Sequence, residues 1–76
     1  MTASVFSKRY KLLLSILVSL REGKGLSQRQ LAKKLKRPQS FVSKYERGER
    51  RLDVVELLDI TRILDADPHQ IIDRLS

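Results

Sequence analysis

The chain is cut into short pieces by residues that begin and end helices. Gly23 and Gly25 close one segment, because glycine accepts the left-handed backbone of a helix C-cap. Ser27 follows, with Gln30 three residues on. That S-x-x-Q spacing is a capping box, in which each residue's side chain serves the other's backbone amide. Pro38 disfavours helical backbone at Arg37, so the second segment should stop near Lys36. The same proline suits the first turn of a third segment, which Gly48 ends. Asp53 with Glu56 forms a second box, and Asp67-Pro68 opens a last segment with Gln70 at its third position. Nothing between these marks alternates as a strand would. The expected architecture is all-α: one compact domain over residues 1–76, with five helices at about 5–22, 27–35, 38–47, 53–64 and 68–75.

Apolar spacing says which faces turn inward. The first helix carries Phe6, Tyr10, Leu13, Leu14, Leu17 and Leu20 at helical intervals. Leu31, Ala32 and Leu35 do the same in the second. In the third, Val42 and Tyr45 form the inward stripe, with Phe41 at its edge and the Tyr45 hydroxyl at the rim of the core. The fourth offers Val54, Leu57, Leu58, Thr61 and Leu64, and the fifth Ile71, Ile72 and Leu75. Leu12, Ile16 and Val18 are surplus to one face of the first helix. They form either a partner surface or a second buried side, covered by helices four and five. The run LLLSILVSL after Lys8, Arg9 and Lys11 is shorter than the ~20 residues of a membrane span. It holds Ser15 and Ser19, no A-x-A cleavage pattern follows it, and it reads as a buried helix.

Composition narrows the function classes. A chain of 76 residues buries only ~60% of its unfolded surface. Without cysteine and with one histidine, it has neither a disulfide framework nor a zinc cluster, which fits a reducing cytoplasm. His69 reads as an exposed first-turn residue. No nucleophile constellation, phosphate-cradling glycine loop or metal spacing is present, so no enzyme, cofactor or small-molecule ligand is expected. The net charge is +7, unevenly spread. Residues 21–51 hold eleven Lys/Arg against three Glu, while residues 52–76 hold two Arg against six Asp/Glu. A basic block beside an acidic tail suggests a polyanionic partner.

Helices two and three are about two turns each, with very few residues between them. Such a pair can cross near ~90–120° as a helix-turn-helix, leaving the second helix free to enter a major groove about 12 Å wide. Gln39, Ser40, Ser43 and Lys44 lie away from Val42 and Tyr45, weighted to the helix N-terminus. Base-reading residues sit there in helix-turn-helix proteins. The alternative for the same residues is an ordinary solvated helix face.

LSQRQLAKKL at 26–35, QSFVSKYERGER at 39–50 and the VVELLDITRIL helix together resemble the Cro/repressor-like helix-turn-helix family, also called XRE or lambda-repressor-like. The resemblance covers roughly residues 16–72. It implies that Gln39, Ser40 and Lys44 face bases, with Ser43 nearer the edge. It also implies that Gln28 donates to a phosphate and braces the amide of Gln39. Arg47, Arg50 and Arg51 would grip the DNA backbone, with Arg37, Arg29, Lys24 and Lys33 as weaker phosphate contacts; Arg50 and Arg51 could equally be a solvated turn. Arg21 and Glu46 would form a buried ion pair. Where the family usually has glycine, this chain has Lys36 and Asp65, so the turn after the second helix is either strained or reshaped.

The function so implied is that of a sequence-specific regulator of transcription, a repressor, binding duplex DNA as a homodimer on a palindromic operator. Helix five or the spare face of helix one would be the seam. The rival readings are an antitoxin or restriction-modification controller with the same DNA chemistry, and a protein-interaction module built on this fold.

Overall fold

The computed structural model describes residues 7–76, which form five α-helices and no strand. Helix α1 spans Lys8–Gly23, α2 Gln28–Leu35, α3 Gln39–Glu46, α4 Val54–Ile63 and α5 Pro68–Leu75. Phe6, expected on the first apolar stripe, lies outside the described residues. The first helix begins at Lys8 rather than residue 5. Ser7 has extended backbone, and its side chain accepts from the Tyr10 amide at 3.0 Å, so it is the N-cap.

Both capping boxes form. Ser27 and Gln30 exchange side-chain and backbone hydrogen bonds at the start of α2, and Asp53 and Glu56 do so at the start of α4. Pro38 is not in the first turn of α3 but is its N-cap, with extended backbone and no side-chain acceptor. Lys36 keeps the left-handed conformation, at φ 59° and ψ 42°. The turn is therefore not reshaped. Its backbone closes α2 through Lys36 N–H to Lys33 and Arg37 N–H to Ala32.

One core runs through all five helices. Leu17 of α1, Leu31 of α2, Val42 and Tyr45 of α3 and Ile60 of α4 are completely buried, with Ile71 of α5 beside them. Phe41 is buried rather than at the edge. The Tyr45 hydroxyl is buried too, not at the rim, and it finds no hydrogen-bond partner among the described residues. Desolvation raises its pKa well above the usual phenol range. The ambiguity over α1 resolves by residue. Ile16 is buried and Val18 half-buried, while Leu12 stays exposed. The packing partners of α1 are α3 and α5.

The expected stripe on α4 holds at Thr61 and Leu64, with Leu57 half-buried, but fails at its start. Val54, Val55 and Leu58 are exposed, and the inward row is Glu56, Ile60 and Thr61, continued by Leu64. A carboxylate takes an apolar slot because two arginines reach it there, as described below. On α5 only Ile71 is fully inward, while Ile72 is exposed. No helix among the described residues is long and apolar enough to cross a membrane.

Candidate nucleic-acid interface

Helices α2 and α3 pack directly on each other across the short Lys36–Pro38 turn. Burial divides α3 by face. Phe41, Val42 and Tyr45 point into the core, and Gln39, Ser40, Lys44 and the C-cap Arg47 are exposed. Ser43 is half-buried, and its hydroxyl donates to the Ser40 carbonyl at a long 3.4 Å. At 100° per residue the four exposed positions and Ser43 occupy one side of the helix. Gln39, Ser40 and Lys44 have no side-chain hydrogen bond of their own among the described residues. This row therefore offers an amide, a hydroxyl and an ammonium to a ligand without first breaking an internal contact.

An ion pair fixes how α3 sits on α1. Arg21 Nε donates to Glu46 Oε2 at 2.7 Å, and Arg21 Nη2 to Oε1 at 3.2 Å. Its Nη1 donates to the Leu26 carbonyl at 2.7 Å, pinning the α1–α2 corner to the same node. Both side chains are largely withdrawn from solvent, at 11% and 6% exposure. The hydrogen bond to Glu46 outweighs desolvation and holds the Arg21 guanidinium more firmly protonated than usual. Breaking such a pair from one side leaves a buried charge unmatched, at a cost of about 3–5 kcal/mol.

Gln28 has its side chain engaged within the protein. Its side-chain amide donates to Glu46 Oε1 at 2.8 Å instead of bracing Gln39. The carboxylate is the stronger acceptor, and Gln28 is the first residue of α2, within reach of it. Glu46 thus gathers three donors and couples α1, α2 and α3.

The cations expected to meet phosphates fall into two groups. Arg29 and Lys33 are exposed on α2 and form no ion pair among the described residues. The others already have partners. Lys24 lies 3.3 Å from Asp65, both exposed. Arg47 forks onto Glu49 at 3.0 and 3.1 Å, both exposed, and its hydrogen bonds lower the Glu49 pKa. Arg51 stacks on the Tyr10 ring at 4.9 Å, while the Tyr10 hydroxyl accepts the Leu52 amide at 3.1 Å. Arg50 and Arg37 converge on Glu56: Arg50 Nη1 and Nη2 donate at 2.9 and 2.8 Å, and Arg37 Nη2 at 3.2 Å. The hydrogen bonds from Arg50, opposed by burial, bring the Glu56 acid down to about 2.

The sequence pattern marks Glu56 only as a cap and Tyr10 and Phe41 only as core residues. The signal that could have found them was the density of arginines at 37, 50 and 51, which need carboxylates and ring faces to rest on.

The family model of a helix-turn-helix domain matches residues 17–71. Among solved structures, the chain is similar to an XRE-family-like protein from Pseudomonas syringae pv. tomato str. DC3000. The two are 48% identical with a TM-score of 0.84, over 88% of this chain and 82% of that one. It is also similar to a mutant of the restriction-modification controller protein C.Esp1396I, at 26% identity and a TM-score of 0.79, over 91% of this chain and 87% of that one. The fold is shared with the clp gene regulator ClgR from Corynebacterium glutamicum, at 23% identity and a TM-score of 0.79, over 91% and 73% of the two chains. No curated protein matches the chain.

Proposed function

Because the chain belongs to the XRE-type, Cro/repressor-like helix-turn-helix family of DNA-binding regulators, we propose that it represses transcription by reading a palindromic operator as a homodimer. The observation that carries this is the exposed row Gln39, Ser40 and Lys44 on α3, unengaged and set in the basic half of the chain.

In this reading α3 lies in the major groove. Gln39 bonds adenine N6 and N7 together, and Lys44 donates to guanine O6 and N7. Ser40 reads either base edge, and Ser43 supports it from the margin. Arg47, Arg51, Arg29, Lys33 and Lys24 grip phosphates, which set register but carry no sequence information. Arg47 exchanges Glu49 for phosphate on binding, and Gln28 turns from Glu46 toward a phosphate or shares the two. Arg37 and Arg50 complete the grip. A dimer on such an operator presents one α3 to each of two half-sites ~34 Å apart, and each copy, at 35 × 25 × 20 Å over the described residues, is of a size to occupy one half-site.

The likeness to a restriction-modification controller favours one second reading, in which the same DNA chemistry serves a restriction-modification operon. Selection from a randomised duplex pool, followed by a salt titration of the winner, tests the proposal. The expected winner is palindromic and bound at least ~10³-fold above bulk DNA. Equal binding to every sequence would reduce α3 to an unspecific polyanion grip. Absence of binding at low salt would remove DNA as the partner.

A further inference from the structure

Two of the proposed phosphate contacts already share one carboxylate. Arg37 lies in the α2–α3 turn and Arg50 in the α3–α4 loop, and both meet Glu56 in the first turn of α4. Both guanidiniums also stack on the Phe41 ring of α3, with their central carbons 4.4 and 4.9 Å from its centroid. Glu56 is itself held in place. It accepts the Asp53 amide at 3.0 Å, and its own amide donates to Asp53 at 2.7 Å. The carboxylate is thus anchored by the helix end it caps, and the arginines are anchored by it.

A guanidinium carries five N–H groups. Arg50 spends one Nη1 hydrogen and one Nη2 hydrogen on Glu56, and its second Nη1 hydrogen on the Arg51 carbonyl at 3.0 Å. Its Nε–H and second Nη2 hydrogen have no partner among the described residues, and together they form one complete side of the fork. Arg37 spends only one Nη2 hydrogen. The two side chains remain 41% and 40% exposed, against 9% for Glu56. Two cations on one anion leave a net positive charge with open N–H edges toward solvent.

We propose that Glu56 is a positioning residue for DNA binding: with Phe41 it sets Arg37 and Arg50 as one clamp, whose open edges take a backbone phosphate beside α3. This rests on the DNA reading above and extends it to a residue of the wrong charge for that role. A free arginine loses rotamer freedom when it grips a phosphate, whereas here that loss occurs on folding. Charge alone predicts the opposite, since deleting a carboxylate near DNA should tighten binding.

Anisotropy titrations of the full chain on a mixed-sequence duplex of about 24 base pairs, from about 50 to 300 mM salt, separate the two. Glutamine at position 56 keeps the capping box. Glu56→Gln is therefore expected to stay folded, yet to bind about 3–10-fold more weakly, with a salt slope shallower by about one. Arg50→Gln should cost less in the Glu56→Gln background than in the native chain, because the two act through one contact. Arg50→Lys keeps the charge and loses the fork, so it carries the test should Glu56→Gln fail to fold; it is expected to weaken binding similarly. Affinity and slope unchanged or increased in Glu56→Gln, or unchanged in Arg50→Lys, would overturn the clamp while native binding upholds the DNA reading. A native chain that binds no duplex even at the lowest salt would overturn both.

Discussion

Lys36 and Asp65 hold the left-handed backbone that glycine usually supplies, at φ 59° and 60°. The two turns pass through the same region of backbone space at different cost, since Asp tolerates it better than Lys. At Lys36 the strain is about 1–2 kcal/mol, and it is maintained because the turn must bring α3 back across α2. Lys36→Gly should relieve it. Glycine also gives the unfolded chain more freedom, offsetting roughly 0.4–1 kcal/mol of the gain. The expected net result is a stabilisation between about 0 and 1.6 kcal/mol in urea denaturation. A destabilised variant would show that the Lys36 side chain contributes packing or charge that outweighs the strain.

At the scale of elements, α4 shows how one carboxylate can serve a helix and its neighbours at once. Glu56 closes the capping box of α4 and binds arginines from the two loops flanking α3. Its acid is depressed from 4.5 to about 2, chiefly by hydrogen bonds from Arg50. A folded-state pKa below the unfolded value means that the stabilisation is complete above about pH 4.5 and is lost as pH falls toward about 2. The urea midpoint should therefore decline across that window. In Glu56→Gln the decline should be smaller, because glutamine has no proton to take up. An identical acid profile in the two proteins would mean that the arginines do not hold Glu56 in solution.

For the whole molecule, the small size makes each core contact count. At roughly 0.05–0.15 kcal/mol per residue, a chain of 76 residues has a stability of about 4–11 kcal/mol. Leu17 is completely buried on α1 and belongs to the same apolar cluster as buried residues of the other four helices. Leu17→Ala should cost about 2–5 kcal/mol, through lost transfer energy and the cavity left behind. With about 4–8 °C lost per kcal/mol in domains of this size, thermal unfolding should shift down by at least about 8 °C. A shift of only a few degrees would show that the helices close over the gap. The same smallness leaves the basic face little distance from the acidic one, so Glu56 of α4 lies against Arg37 and Arg50.

Much of the architecture was legible in sequence because its signals are local. Ser27 with Gln30, Asp53 with Glu56, and Asp67-Pro68 begin helices through contacts spanning two or three residues, and the structure forms each of them. The division of α3 into Val42 and Tyr45 against Gln39, Ser40 and Lys44 follows from helical period alone. Period also placed Thr61 and Leu64 of α4 inward, but not the first-turn residue beside them. Glu56 takes an apolar position there, and only Arg37 and Arg50 make that burial tolerable. Nor could spacing reveal that Gln28 turns to Glu46, or that Phe41 carries two guanidiniums. The sequence by itself determined where helices start and stop and which face of α3 is polar, since those depend on neighbours a few bonds away. Tertiary structure alone decided which cations are free and which are held, because an arginine's partner is chosen by packing between elements distant along the chain.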